Sequence, residues 1–280
     1  MDGLVSTEWL EGQVEAPDLR VIDATFFLPT DRRDARAEYE AGHIPGAVFL
    51  DLKDVADPGN PVPHMVPPEH LFASRMRSLG LRDGSRFVVY DNSPLHSAAR
   101  AWWMLKRFGA HRVAVLDGGL AKWKAEGRPL ERGTPEVGHG HFTPMFDKEA
   151  VVDKARVRSL VGAGSHEIVD ARGTERFTGE EGEPRPGMAS GHILGSKSLP
   201  QNKLFNPDNS MKRGEELKAA FDEAGVDLGK PLVATCGSGI TACVLLFGAH
   251  LLGKRDAQLY DGSWSEWGAD PAMPKAVGPA

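Results

Sequence analysis

Short apolar runs alternate along the chain with longer segments in which apolar residues recur at helical spacing. This alternation is typical of a mainly parallel sheet covered by helices on both faces, because a buried parallel strand reads as a continuous apolar run. The predicted strands are residues 20–24, 47–50, 86–91, 113–116, 167–170, 196–198, 232–235 and 258–260. The clearest predicted helices are residues 97–108, 213–224 and 240–252. The pattern predicts an α/β fold.

Four sequence blocks occur twice in the same order. VIDA at 21–24 returns as IVDA at 168–171, and GHIPG at 42–46 returns as GHILG at 191–195. VVYD at 88–91 corresponds to VATC at 233–236, and LDGGLAKW at 116–123 corresponds to YDGSWSEW at 260–267. The offsets of 144 to 149 residues have the size of a domain rather than of a solenoid repeat. We expect a first domain over residues 1–132, a linker rich in Gly, Pro and His over 133–147, and a second domain over 148–280.

One cysteine lies where a predicted strand ends. In PLVATCGSGITA, at 231–242, the strand is followed by Cys236, by glycines on both sides of Ser238, and by a predicted helix. Such a turn directs N–H groups inward, and a helix N-terminus favours an anion, so the pattern favours the nucleophilic thiolate form of the cysteine. Ligands of open α/β sheets bind beyond the carboxyl ends of the strands. The first copy has Asp91 at this position, so we expect one active site, on the second copy.

The composition of the chain indicates the compartment and the kinds of partner that we expect for this protein. The 280 residues carry a formal net charge of −6, which gives no general attraction to nucleic acid or to an anionic membrane. The two cysteines, Cys236 and Cys243, share one strand–helix segment, which argues against a structural disulfide and for a reducing compartment. No secretory signal and no membrane-length apolar stretch is visible. We expect a cytoplasmic protein that binds neither nucleic acid nor membrane.

The blocks resemble those of the tandem-domain rhodanese family of sulfurtransferases over nearly the whole chain. The loop CGSGIT is similar to the 3-mercaptopyruvate branch, because the thiosulfate–cyanide branch has basic residues where this chain has Gly237 and Ser238. The resemblance implies two rhodanese-like domains, the second of them catalytic. It implies that Cys236 takes sulfur from 3-mercaptopyruvate as a persulfide, with release of pyruvate. The acceptor would be cyanide, a small thiol or a thioredoxin-like protein. This chemistry needs no cofactor or metal, and no metal-ligand spacing of Cys and His is present.

The resemblance also assigns substrate-binding residues. In DARGTERFTGEEGEPRPG, Arg176 and Arg185 match the two substrate arginines of the mercaptopyruvate enzymes. An arginine fork binds a carboxylate through two hydrogen bonds, which suits a keto acid. The loop residues expected to surround the donor are Gly237, Gly239, Ile240 and Thr241.

A proton relay is implied in the same way. Ser238 matches a serine that acts together with a histidine and an aspartate of the first domain, and His64 matches the histidine. The acidic position of the family falls at Lys53, where this chain departs from the pattern. Asp51 and Asp54 flank that lysine, and a shift of one residue would restore Asp54 to the relay.

Three other functions stay open. A thiosulfate:cyanide sulfurtransferase would use the same cysteine with another donor. A protein-tyrosine-type phosphatase shares the fold and a cysteine cradle, but its loop is longer and ends with an arginine, whereas Thr241 closes a shorter loop here. A non-enzymatic persulfide carrier would receive sulfur from another protein.

Several recurring residues are predicted to serve the fold. His43 and His192 lie at the same position of the two Gly-His-Ile blocks. Asp23 and Asp170 lie in the first predicted strand of each copy. Because both copies carry these residues, a structural role is favoured for all four. Arg172 is expected to pair with an acid near the strand end, and Cys243 to pack in the core.

Overall fold

The computed structural model describes residues 3–280 and divides them into two α/β units. The first unit comprises residues 3–57, 66–147 and 206–211. The second comprises residues 58–65, 148–205 and 212–280. Each half of the chain therefore contributes one short segment to the other unit.

The first unit is built on five parallel strands in the order β1-β5-β4-β2-β3. These strands are β1 (Gly3–Val5), β2 (Leu19–Asp23), β3 (Val48–Phe49), β4 (Arg86–Tyr90) and β5 (Val113–Leu116). Its helices are α1 (Thr7–Glu11), α2 (Ala35–Ala41), α3 (Glu69–Ser78), α4 (Ala98–Arg107) and α5 (Gly119–Ala125). The central strand β4 is buried from Phe87 to its end, which explains its continuous apolar sequence.

The second unit repeats this arrangement. Its strands and helices are β6 (Val151–Val152), α6 (Lys154–Leu160), β7 (Glu167–Asp170), α7 (Thr174–Thr178), β8 (His192–Ile193), β9 (Lys197–Ser198), α8 (Gly214–Glu223), β10 (Leu232–Thr235), α9 (Ala242–Leu251), β11 (Ala257–Tyr260), α10 (Ser263–Trp267) and β12 (Lys275–Ala276). Five parallel strands follow the order β6-β11-β10-β7-β9, and β8 pairs with β12 in an antiparallel ribbon. Because both sheets have the same strand order, the predicted duplication of one α/β fold is confirmed.

The repeated aspartates close the same turn in both units. The Asp23 carboxylate accepts the N–H of Thr25 at 2.9 Å, and the Asp170 carboxylate accepts the N–H of Arg172 at 2.9 Å. A short acidic side chain that bonds the backbone two residues later stabilises a turn. The predicted structural role of these aspartates is confirmed.

The repeated histidines also have matching environments. The Nδ1 atom of His43 lies 2.8 Å from the carbonyl oxygen of Tyr39, and its ring stacks on the tyrosine ring with a centroid distance of 4.0 Å. The Nδ1 atom of His192 lies 2.8 Å from the carbonyl oxygen of Phe177, and those rings stack at 3.8 Å. Both histidines are buried, so they serve the fold as predicted.

The segment 133–147, expected as a linker, packs on the first unit. Phe142 is buried, and the ring of Phe146 lies 4.7 Å from the ring of Phe108. The N–H of Gly140 donates to the carbonyl of Arg77 at 2.8 Å. The structure counts this segment with the first unit, whereas the sequence placed it between the domains. Its glycines and prolines leave no regular apolar pattern, so the sequence did not show that two phenylalanines anchor this segment.

No helix among residues 3–280 is long and apolar enough to cross a membrane. The apolar helix α9 has 10 residues, whereas a membrane span needs about 20.

Candidate active site

Cys236 directly follows β10, which pairs with β7 on one side and with β11 on the other. Residues 236–241 connect this central strand to the first residue of α9, Ala242. Gly239 has a φ of +79°, a conformation that glycine adopts without steric cost. The cysteine is 2% exposed and Ser238 is 7% exposed. The thiol therefore lies at the carboxyl edge of the sheet, where α/β folds bind ligands.

Helix α10 holds this loop through its backbone. The N–H of Trp264 donates to the carbonyl of Cys236 at 2.9 Å, and the N–H of Ser265 donates to the carbonyl of Gly237 at 2.9 Å. The hydroxyl of Ser263 accepts the N–H of Cys236 at 3.1 Å. A trans peptide places its C=O and its N–H on opposite sides. The N–H groups that follow the two bonded carbonyls therefore point away from α10, as an anion cradle on the open side of the loop requires.

Arg176 lies against the cysteine loop. Its Nη2 atom would be 3.2 Å from a Cβ atom built on Gly237, so a side chain at this position would crowd the guanidinium. The same guanidinium donates to the Glu183 carboxylate at 2.5 Å from Nη2 and at 3.3 Å from Nε. Gly237 thus gives the arginine room to approach the loop, and Glu183 fixes it there.

Glu183 belongs to a buried chain of charges. Arg172 pairs with Asp170 at 2.6 Å and with Glu183 at 2.6 Å, and these three side chains are each 1% exposed. The predicted pairing of Arg172 with an acid is confirmed. Two carboxylates thus face two guanidinium groups, so the charge of Arg176 is already compensated. The sequence analysis missed Glu183, although it lies in the same GEPR segment as Arg185.

Arg185 has a different partner. Its Nη1 atom donates to the hydroxyl of Ser265 at 2.7 Å, and the same hydroxyl donates to the carbonyl of Gly237 at 2.6 Å. Burial and the charge of Arg176 lower the pKa of Arg185, while Cys236 acts in the opposite direction. The charge of Glu183 also raises this pKa, but the hydrogen-bond partner described for the Arg185 guanidinium is a neutral hydroxyl. This guanidinium is therefore suited to an anionic ligand.

His64 and Ser238 meet within the second unit. The Nδ1 atom of the histidine lies 2.9 Å from the serine hydroxyl oxygen. His64 has a φ of +63°, in the left-handed region that only a few residue types adopt readily. Asp54 lies in the first unit, and its carboxylate pairs with Arg75 at 2.7 Å. The part of Asp54 in a relay stays a prediction.

Cys243 is fully buried in α9, and its thiol donates to the carbonyl of Gly239 at 3.3 Å. Its predicted packing role is confirmed. Among residues 3–280, no group of three or more His, Cys, Asp or Glu side chains is arranged to hold a metal ion.

Asp91 occupies the corresponding loop of the first unit. Its carboxylate accepts the N–H of Ser93 at 2.9 Å and the N–H of Ala98, the first residue of α4, at 2.7 Å. Burial raises the pKa of Asp91 to about 7, against the effect of these two N–H donors. The carboxylate of this residue fills its own loop, so the first copy offers no thiol at the end of its central strand.

Comparisons with known proteins agree with this geometry. The model of the rhodanese-like domain matches residues 6–126 and 153–270. A 3-mercaptopyruvate sulfurtransferase of Escherichia coli (strain K12) is 41% identical over 271 residues, which cover 96% of this chain and 96% of the relative. The Arabidopsis thaliana protein called thiosulfate/3-mercaptopyruvate sulfurtransferase 1, mitochondrial, is 38% identical over 292 residues, which cover 97% of this chain and 77% of the relative.

A solved structure extends the similarity to three dimensions. The crystal structure of SseA from Escherichia coli, described as a 3-mercaptopyruvate sulfotransferase, matches with a TM-score of 0.86 and 40% sequence identity. The match covers 94% of this chain and 99% of SseA. Two domains match the family, both sheets have the same strand order, and a cysteine lies at the end of the central strand of the second sheet. This chain therefore belongs to the rhodanese-like sulfurtransferases and carries their domain twice.

Proposed function

We propose that this chain transfers sulfur from 3-mercaptopyruvate, through a persulfide on Cys236, to a thiophilic acceptor, and releases pyruvate. The observation that carries the proposal is the guanidinium of Arg185, which the hydroxyl of Ser265 connects to the cysteine loop. In 3-mercaptopyruvate, the carboxylate carbon lies two carbons away from the carbon that bears the sulfur. An arginine beside the loop, rather than within it, suits that spacing. The name of the Escherichia coli relative supports the same donor.

The first half-reaction moves one sulfur atom. The Cys236 thiolate attacks the sulfur of the donor, a sulfur–sulfur bond forms, and the carbon–sulfur bond breaks. The electron pair of the broken bond leaves as the enolate of pyruvate. The proton of the donor thiol ends on the enolate carbon, so the step consumes no external acid, oxidant or reductant. The loop N–H groups stabilise the negative charge on the sulfurs, as donors fixed in advance do at other reacting anions.

Ser238 and His64 are proposed to carry that proton. The histidine is hydrogen-bonded to the serine hydroxyl, and imidazole gains and loses protons near neutral pH. Such a pair takes the proton from the donor thiol and returns it to the carbon of the enolate.

The second half-reaction regenerates the thiolate of Cys236. A thiophilic acceptor such as cyanide, a small thiol or a reduced thioredoxin-like protein attacks the outer sulfur, and Cys236 leaves as a thiolate. The two half-reactions predict ping-pong kinetics. We propose the cytoplasm as the compartment, because it keeps such acceptors and the two cysteines reduced.

Thiosulfate is the second candidate donor. The name of the Arabidopsis relative includes both donors, so its similarity does not separate them. The loop residues Gly237 and Ser238 carry no positive charge, and a dianion whose charge lies next to the transferred sulfur gains little from a neutral loop. We therefore expect kcat/KM to be higher for 3-mercaptopyruvate than for thiosulfate.

Replacing Arg185 by alanine tests the donor. We expect kcat/KM for 3-mercaptopyruvate to fall about 100-fold, because a hydrogen bond to a charged group contributes about 1.5–3 kcal/mol. The loss with thiosulfate should be smaller, because its charge lies at the loop. Arg176→Ala should lose less than Arg185→Ala, since Glu183 already compensates the Arg176 charge. Pyruvate formation measures turnover of 3-mercaptopyruvate, and thiocyanate formation with cyanide as the acceptor measures turnover of thiosulfate.

The matched control is Arg158→Ala, on the exposed side of α6, which should behave as the wild type. A wild-type protein that prefers thiosulfate, or an Arg185→Ala variant with an unchanged donor ratio, would contradict the proposed donor.

Replacing His64 by asparagine tests the proton relay. Asparagine tolerates the positive φ of this position, so the backbone is disturbed little. We expect kcat with 3-mercaptopyruvate to fall about 100-fold, the usual contribution of a positioned acid–base group. Thiosulfate turnover, which needs no proton transfer to carbon, should change little, and the dependence of kcat on pH near neutrality should flatten.

His166 offers a matched control, because its Nδ1 atom also lies 3.0 Å from a serine hydroxyl, that of Ser165, on the surface. An equal loss with both donors would assign His64 a structural role instead of the relay.

A further inference from the structure

Ser265 connects two parts of the proposed site. Its hydroxyl donates to the carbonyl of Gly237 at 2.6 Å and accepts from Nη1 of Arg185 at 2.7 Å. A guanidinium only donates and a carbonyl only accepts, so the single hydroxyl hydrogen must point to Gly237. The direction of both hydrogen bonds is therefore fixed. One side chain determines how the arginine lies relative to the cysteine loop.

The helix that carries this serine is anchored on both sides. Ser263 accepts the N–H of Cys236 and donates to the carbonyl of Tyr260 at 2.8 Å. Trp264 is 1% exposed, and its indole N–H donates to the carbonyl of Ala189 at 2.9 Å. Because α10 is attached to the loop and to the core, Ser265 has little freedom to shift.

Arg185 itself lies on an irregular segment between α7 and β8. The hydrogen bond described for its guanidinium is the one to Ser265. Arg176, in contrast, lies on α7 and is held by the buried carboxylate of Glu183. The two arginines therefore differ in what fixes them: an ion pair fixes Arg176, and a neutral hydroxyl fixes Arg185.

We propose that Ser265 is a positioning residue that sets the distance of Arg185 from the cysteine loop and so favours donors with a carboxylate at keto-acid spacing. This inference rests on the proposed function. A donor whose charge lies next to the transferred sulfur meets the loop N–H groups directly. A donor whose carboxylate lies farther away depends on the arginine being held at the matching distance. Ser265 thus contributes to donor choice without touching the reacting sulfur.

Ser265→Ala isolates the hydroxyl, because the backbone N–H of this residue still donates to Gly237. We expect KM for 3-mercaptopyruvate to rise about 10-fold, the size of one lost hydrogen bond to a charged group, with a nearly unchanged kcat. The kcat/KM for thiosulfate should change less than the value for 3-mercaptopyruvate. Ser265→Thr keeps a hydroxyl and should restore KM. Thermal unfolding of each variant reports whether the fold is intact.

Ser159→Ala is the matched control, because this exposed serine also donates to a backbone carbonyl, that of Arg156. A donor-specific rise in KM that threonine reverses supports the inference. If wild-type protein uses 3-mercaptopyruvate and Ser265→Ala leaves the donor ratio unchanged, the inference is overturned while the proposed function stands. If wild-type protein releases no pyruvate from 3-mercaptopyruvate, both are overturned.

Discussion

Cys236→Ser is expected to abolish sulfur transfer, with a loss of about four orders of magnitude or more, since a nucleophile that forms the covalent intermediate has no substitute in the site. A hydroxyl at the same position is far less acidic than a thiol and forms no persulfide. Mass spectrometry after incubation with 3-mercaptopyruvate should show one added sulfur atom on the wild-type protein and none on the variant. Pyruvate release should be lost in parallel.

Cys243 supplies the control within the same helix–loop segment. It is fully buried and bonds the carbonyl of Gly239, an interaction that a serine hydroxyl can replace. Cys243→Ser should therefore keep most of the activity and still gain one sulfur atom. Transfer by Cys236→Ser together with its loss in Cys243→Ser would show that the nucleophile has been assigned to the wrong residue. A wild-type protein that gains sulfur without pyruvate release would indicate a persulfide carrier.

Arg172→Met is expected to give the largest loss of stability. Its guanidinium donates to Asp170, to Glu183 and to the carbonyl of Gly191, and lies 4.6 Å from the ring centroid of Trp264. Methionine fills similar space but leaves the buried carboxylate of Asp170 without its cation, and it leaves Glu183 with Arg176 alone. Breaking a buried ion pair from one side costs about 3–5 kcal/mol. We expect the free energy of unfolding in urea to fall by that amount.

Hydrogen exchange should localise this loss to the second unit, whose sheet contains Asp170. The control is Arg156→Met, because Arg156 is exposed on α6, so that substitution should change the free energy of unfolding by less than about 0.5 kcal/mol. In the triple variant that also carries Asp170→Asn and Glu183→Gln, part of the stability should return, because the buried charges are removed together. A loss below about 1 kcal/mol in Arg172→Met would mean that water or another group satisfies both carboxylates.

The central strands were predictable because a strand that is buried on both faces has a continuous run of apolar residues, which is visible in the sequence. The predicted strands at 167–170 and 232–235 coincide with β7 and β10, and the predicted helix at 240–252 contains all of α9. The edge strands β1 and β6 and the five-residue helices α7 and α10 were not predicted. Elements this short complete no period of apolar residues, so the surrounding structure, rather than their own pattern, determines them.

The candidate site divides in the same way. Cys236 was proposed because a reactive residue stands out in a strand–turn–helix segment, and Arg176 and Arg185 were proposed because they match the substrate arginines of the mercaptopyruvate enzymes. Glu183 and Ser265 were not identified, because a carboxylate or hydroxyl that orients another side chain looks like any polar surface residue in a sequence. Their roles depend on which groups lie within about 3 Å, and only the folded chain provides those distances.

The order of apolar runs, the duplicated blocks and the single cysteine at a strand end are local properties of the chain, and they determined the fold, the two copies and the position of the proposed nucleophile. Only the tertiary structure decided that the carboxylate of Asp91 fills the loop of the first copy, that Glu183 compensates Arg176, and that a neutral serine holds Arg185. The physical reason is that hydrogen bonds and ion pairs act over a few ångströms in space. They join residues that are far apart in the sequence, by 80 positions for Arg185 and Ser265 and by 174 positions for His64 and Ser238.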